Sequence, residues 1–166
     1  TVPAGARRAA GPAADDLVRR TIATDWLGQA AIALGCAEQA IATAREYTRA
    51  RVQGGVVIAE HAAVRLLLSR AEHDAALVAA VLERHARTPL RELDPGTLLR
   101  WAVDARLAVG EHAGRAVTDA LQTLGGYGYM DEYGLSKRLR DITALRVLHG
   151  GPDQLLLARD DLGAAS

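Results

Sequence analysis

The sequence predicts an all-α chain folded as an antiparallel four-helix up-and-down bundle, and three observations carry that reading. Apolar residues recur at three- and four-residue spacing over long stretches, and nothing alternates with period two for long enough to form a strand. Aromatic residues make up 4% of the chain, with no phenylalanine, whereas alanine is abundant, so helices can approach closely through small side chains. Glycine and proline clusters fall between the periodic stretches, where a bundle needs its connections.

Residues Thr1 to about Ala14 include Pro3, Gly5, Gly11 and Pro12 and show no periodic apolar face, so residues 1–14 read as a linker ahead of a bundle domain spanning 15–166. Asp15 or Asp16 is placed to cap the first helix, whose face of Ile22, Trp26, Ala30, Ala33, Ala37, Ile41 and Ala44 runs to about Arg51. Gly54-Gly55 stops it. A second helix starts near Glu60, carries Val64, Leu67, Ala71, Ala75, Val78 and Leu82 on one face, and ends before the polar stretch around Pro89. The third opens at Asp94-Pro95, a capping carboxylate followed by a proline whose missing N–H is harmless in a first turn. Its face of Leu98, Trp101, Ala105, Ala108, His112, Ala116, Ala120 and Leu124 leads into Gly125-Gly126-Tyr127-Gly128. After Asp131 to Ser136, a last helix with Leu139, Ile142 and Leu145 breaks at Gly150-Gly151-Pro152 and resumes through Leu155 to about Leu162.

With 166 residues and 49% apolar content, the chain suits one domain with a real core. Twenty basic and twenty acidic side chains cancel, which excludes a whole-chain field drawing it to nucleic acid or anionic membrane. Cys36 is the only cysteine, so an internal disulfide and a multi-thiolate zinc site are excluded. Charged residues interrupt every hydrophobic segment before it reaches bilayer-spanning length. The setting these features predict is soluble and cytoplasmic. His61, His73 and His85 recur every twelve residues, but twelve steps of about 100° leave them on different helix faces, so no metal site is expected.

Five separated motifs, in order, resemble the C-terminal helical domain of acyl-CoA dehydrogenases from about Leu17 to Leu162. Ala33-Leu34-Gly35-Cys36-Ala37 resembles that family's A-x-G-x-A, Tyr47 to Gly55 its Y-x-x-x-R-x-x-F-G, and Glu60 to Val64 its E-x-Q-A-V. Gln122 to Tyr129 resembles Q-x-L-G-G-Y-G-Y, and Arg138 to Asp141 the R-x-x-R-D that opens the last helix. The resemblance implies FAD as cofactor, an acyl-CoA thioester as substrate, assembly into homo- or hetero-oligomers, and preceding N-terminal helical and middle β-domains that this chain lacks.

The resemblance also assigns residues. Arg51 matches an arginine that reaches a flavin pyrophosphate across a subunit interface; read without the family, it is a cation favourably placed at a helix C-terminus. Gln122, Gly125 and Gly126 match a turn that contacts the ADP half of FAD held by a partner; glycines there let a phosphate approach backbone N–H groups, and the same glycines suit a helix C-cap. Gly54 stands where the family has phenylalanine.

His149 stands where most members carry the glutamate that removes the substrate α-proton. It is either a base for a different or more acidic substrate or a polar residue at a helix break that hydrogen-bonds a free carbonyl. Its backbone N–H, which in the family helps stabilise a thioester oxyanion, does not depend on the side chain. Some members carry the glutamate on the first long helix instead, and that place falls at Asp25, one methylene shorter. Asp25 is either catalytic, a solvated helix residue, or a carboxylate that pairs with a nearby arginine. Arg138 and Arg140 are candidates for CoA or flavin phosphates, and Arg140-Asp141 for polar contacts inside the bundle.

The expected function is thus a share in FAD-dependent α,β-dehydrogenation of an acyl-CoA thioester and in oligomerisation, with the isolated chain inactive. The alternatives are a non-catalytic partner subunit or degenerate paralogue, and a flavin oxidase or monooxygenase relative with a changed base.

Overall fold

A computed structural model describes residues 11–164, and among them the chain is an antiparallel helical bundle. The elements are α1 (Pro12–Ala50), the two-residue strands β1 (Val52–Gln53) and β2 (Val56–Val57), α2 (Ala62–Ala86), α3 (Pro95–Ala108), α4 (Gly114–Thr123), α5 (Leu135–Val147) and α6 (Pro152–Ala164). Short 3₁₀ turns occupy Ile58–Glu60, Leu90–Glu92, Gly125–Tyr129 and Asp131–Tyr133. A π-helical turn, Val109–Ala113, joins α3 to α4 so that the two run on as one rod. No described helix is long and apolar enough to cross a membrane.

Small residues set the packing. Ala30, Ala33, Ala37, Ala40 and Ala44 of α1 are buried against Ala71, Ala75 and Val78 of α2 and against Ala105, Ala113, Ala116 and Ala120 of the α3–α4 rod. Leu135 and Ile142 bring α5 onto this core, and Leu155 anchors α6. A smaller cluster of Ala23, Leu98 and Ala102 extends it towards the start of α1. Asp94 caps α3 as expected, accepting the Thr97 N–H at 2.9 Å.

Four sequence expectations need correction. Helix α1 begins at Pro12 and not at Asp15 or Asp16, because a proline at the first helical position needs no acceptor and its φ is already helical. The expected linker is therefore helical from residue 12, and residues 1–10 lie outside the described residues. Gly54-Gly55 does not cap α1, which ends at Ala50 with Arg51 already extended; the two glycines, at φ 66° and 84°, form the tight turn of an antiparallel ribbon pairing Val52 with Val57. Such a ribbon is too short to leave a period-two signal. The third helix does not keep a single α-helical phase, since the π turn accommodates an extra residue. Val109 and Ala113 are buried in place of the expected Ala108 and His112. Finally, α5 starts at Leu135, after the left-handed Gly134.

The π turn also redirects His112. Its Nδ1 lies 2.8 Å from Oδ1 of the buried Asp74 on α2, which in turn accepts Arg115 Nη2 at 2.6 Å and Nε at 3.0 Å. The Arg115 hydrogen bonds, reinforced by His112, hold the Asp74 carboxyl below the usual carboxylate range against the opposing effect of its burial.

His85 near the end of α2 is buried, stacks on Trp101 with ring centroids 4.8 Å apart, and leaves Nδ1 without a hydrogen-bond partner. Burial, and then the nearby Arg84 charge, push its pKa below 6.5. The unfolded chain therefore binds this proton more readily than the folded one. Stability is fully present above the unfolded pKa and falls as pH drops from there through the lower folded value. Urea unfolding between pH 8 and 5 should show this loss, and His85→Phe, which keeps the stack without the unpaired nitrogen, should flatten it.

Candidate functional site

At the end of the bundle where α1 meets the β-ribbon, a groove of about 680 Å³ opens between that ribbon, the start of α2 and the turn after α4. Arg51, Gln122, Gly125 and Gly126 all line it, although they come from distant parts of the chain. Arg51 sits in extended backbone just past α1, and its guanidinium carbon lies 5.7 Å from the Tyr127 ring centroid, a cation–π contact that leaves its N–H groups free to face an anion. It forms no ion pair among the described residues, and the lining contains no aspartate or glutamate. The Tyr127 ring is itself held between Tyr47 and Tyr133, at centroid distances of 6.0 and 6.3 Å.

The three glycines of the turn do different work. Gly125 has φ 58° just past the last residues of α4, so it provides the helix C-terminal turn read from the sequence. A Cβ at Gly128 would stand 2.6 Å from the Leu121 carbonyl, so that glycine permits close packing. Gly126 needs neither: its φ is ordinary and a Cβ placed there would meet no atom within 4 Å, so the open space belongs to the groove. Gln122 is exposed beside it with no hydrogen-bond partner among the described residues. A cation, a free carboxamide and unobstructed backbone in a groove without acid side chains suit a diphosphate.

Sequence reading missed His61 here. Its Nε2 lies 3.1 Å from the Gln53 carbonyl, which makes that nitrogen the donor and turns Nδ1 away from the ribbon. His73 lines a separate groove beside Asp74 and Arg115, and His85 is in the core, so the three histidines lie in three places.

The second cluster lies roughly 39 Å along α1, at about 1.5 Å per residue. Asp25 and His149, chosen from the sequence on separate grounds, face each other with His149 Nε2 3.8 Å from Asp25 Oδ2, and both are about half exposed. His149 has φ 61°, the only positive value among described residues other than glycine, and Gly150 follows at φ 116°. This left-handed step at the end of α5 turns the imidazole back onto α1. No carbonyl among the described residues accepts the His149 backbone N–H.

Asp25 does not pair directly with an arginine. Its Oδ2 accepts the Gln29 side-chain amide at 2.6 Å, and Gln29 Oε1 accepts Arg106 Nη1. Arg106 Nη2 reaches the Leu148 carbonyl, and its guanidinium carbon lies 5.5 Å from the Trp26 ring centroid. Burial lowers the Arg106 pKa, with the Asp25 charge pulling it back up. The i,i+4 spacing of Asp25 and Gln29 was readable in the sequence; Arg106 was signalled only by a charge between the apolar residues of α3.

The remaining candidates are tied up or solvated. Arg138 Nη1 donates to the carbonyls of Gly134 at 3.0 Å and Tyr133 at 3.5 Å, bracing the turn before α5 instead of reaching for phosphate. Asp141 pairs with Lys137 on the surface, so the expected Arg140-Asp141 contacts inside the bundle are not formed.

Comparison with known proteins gives the family of this fold. The family described as "Acyl-CoA dehydrogenase, C-terminal domain" matches residues 15–159. The short-chain-specific acyl-CoA dehydrogenase of Megasphaera elsdenii is 34% identical over 124 residues, covering 75% of this chain and 32% of that protein. Cyclohex-1-ene-1-carbonyl-CoA dehydrogenase of Geobacter metallireducens is 34% identical over 132 residues, covering 79% and 34%. The crystal structure of butyryl-CoA dehydrogenase from Megasphaera elsdenii superposes with a TM-score of 0.75 at 26% identity, covering 90% of this chain and 38% of that one. A variant of the steroid acyl-CoA dehydrogenase Tcur3481-Tcur3483 shares the fold with a TM-score of 0.82 at 23% identity, covering 96% of this chain and 43% of that one. The chain thus spans about a third of the length of the curated relatives it matches, and it belongs to the acyl-CoA dehydrogenase family as that family's C-terminal helical domain.

Proposed function

We propose that this domain serves an FAD-dependent α,β-dehydrogenation of an acyl-CoA thioester, contributing one part to each of two flavin sites. The observation that carries the reading is the 3.8 Å approach of His149 to Asp25, which supports a proton-accepting couple at one end of the bundle. Bound FAD supplies the acceptor for hydride leaving the substrate β-carbon. The chain's own work is the α-proton. Imidazole and carboxylate are both side-chain types that accept protons, and their half-exposed faces leave room for a thioester between this domain and the rest of the subunit. The couple lets the proton taken from carbon rest at His149 Nε2 with the Asp25 carboxylate beside it. The unengaged His149 backbone N–H is a donor for the thioester oxygen, where charge builds as the α-proton leaves.

At the opposite end, Arg51, Gln122 and the open backbone at Gly126 would hold the phosphates of FAD. The groove around Arg51 and the Asp25–His149 couple lie roughly 39 Å apart along α1, at about 1.5 Å per residue. That separation supports a second flavin, bound mainly by a neighbouring subunit, and hence an oligomer in which this groove meets the neighbour. The isolated chain then holds neither flavin tightly and does not turn over.

Two measurements on the full-length parent polypeptide test the two ends separately. Flavin affinity of the refilled apoprotein should fall about tenfold or more on Arg51→Ala, the loss of a charge-assisted phosphate contact. Gly126→Ala should weaken flavin binding similarly while leaving thermal stability unchanged, because its Cβ meets only open space in the protein. Full flavin content in both variants would remove this groove from the cofactor site.

Anaerobic flavin bleaching by a panel of saturated acyl-CoA thioesters tests the other end. Wild-type protein should bleach, and Asp25→Asn and His149→Ala should each slow bleaching by about a hundredfold or more with flavin content retained. A flavin that never bleaches would favour oxidase or monooxygenase chemistry; a parent without flavin would favour a non-catalytic partner subunit.

A further inference from the structure

We propose that Arg106 is the positioning residue of the Asp25–His149 couple, fixing both members from opposite sides. The proposal rests on the reading that these two side chains face the acyl substrate. Arg106 is the one buried arginine among the described residues, at 4% exposure. A buried cation is costly, and in most proteins a carboxylate touching it offsets the cost. Here none does: Arg106 forms no ion pair among the described residues, and the nearby Asp104 of the same helix is taken by Arg159.

The two arms of the guanidinium end elsewhere. One nitrogen donates to Gln29 Oε1, and the Gln29 amide, oriented by that bond, donates to Asp25 Oδ2 at 2.6 Å. The other donates to the Leu148 carbonyl, the peptide that leads into the left-handed His149. The Trp26 ring, 5.5 Å from the guanidinium carbon and next in sequence to Asp25, covers the cation on one side. One planar group thus sets the carboxylate on α1 and the backbone that aims the imidazole from α5. The charge is relayed to Asp25 through a neutral amide, so the carboxylate is oriented without being neutralised by direct ion pairing, and one of its oxygens stays free. Lysine presents a single nitrogen and cannot reproduce donations from two separate nitrogens of a rigid fork to two different acceptors.

The test is a double-mutant cycle on flavin bleaching in the full-length parent, combining Arg106→Lys with Asp25→Asn. Arg106→Lys should cut the bleaching rate at saturating thioester by about ten- to a hundredfold while the half-saturating concentration moves less than about threefold, as expected for misplacement of a reacting group. In the Asp25→Asn background the same substitution should cost at least about threefold less, the remainder being what it costs through the Leu148 carbonyl and His149. A residue that only supports the core would slow both backgrounds equally or act through stability alone. In parallel, nuclear magnetic resonance on the 166-residue chain should show the Gln29 side-chain amide and the His149 backbone amide both shifting on Arg106→Lys. Should Arg106→Lys fail to fold, Gln29→Met interrupts the same relay from a half-buried position and should show the same non-additivity with Asp25→Asn.

The outcomes separate the two claims. If Asp25→Asn and His149→Ala both leave bleaching intact, the underlying reading fails and the proposal falls with it. If those variants abolish bleaching but Arg106→Lys costs nothing, or costs as much in the Asp25→Asn background, the couple stands and the role of Arg106 is overturned.

Discussion

Alanine at the helix contacts brings the backbones of α1, α2 and the α3–α4 rod close together, and that closeness dictates where polar groups can lie. Five alanines on one stripe of α1 leave little room for long side chains inside. A core filled this way reaches close packing by approach of the backbones, without interlocking large side chains. Among the described residues the buried polar side chains are few: Thr48, Asp74, His85, Arg106 and Thr123. Asp74 and Arg106 lie where two or more helices converge, and each gathers partners from elements remote in sequence.

The same constraint shapes the two functional ends. Helix α1 runs unbroken for 39 residues, so what is fixed at one end is carried rigidly to the other. The ribbon and the glycine turn close one end of the rod with backbone, and the left-handed step at His149 meets α1 at Asp25, inside the helix. The proposed phosphate groove thus lies where regular helices stop and the proposed couple where one helix break meets another helix's side, with the body of α1 keeping the two places at a set distance.

The helices and their order were legible because a 3.6-residue apolar period is a strong signal over such lengths. Arg51, Gln122, Gly125 and Gly126 could be chosen from motifs, and the fold brings them to one groove. That Asp25 and His149 would meet was not written in either local sequence, since the meeting depends on the backbone reversal after α5. Arg106 and His61 were missed for a related reason: each acts on a residue distant in the chain or through a carbonyl, and neither contact has a spacing rule. The π turn was invisible because its residues, Val109 to Ala113, would suit an α-helix equally well, and only the burial of Val109 and Ala113 in place of Ala108 and His112 reveals the change of phase.

That turn sets how the chain can change length. A π turn absorbs one residue more than an α turn, so removing one residue between Val109 and Ala113 would let the rod continue as plain α-helix with α4 near its present phase. Adding one would swing everything beyond it by about 100°. Gln122 with the glycine turn would then rotate away from Arg51. Substitutions in this stretch are judged by local packing, whereas a single insertion is judged ten residues downstream. The domain should therefore accept varied residues within the turn, and lose one there more readily than gain one.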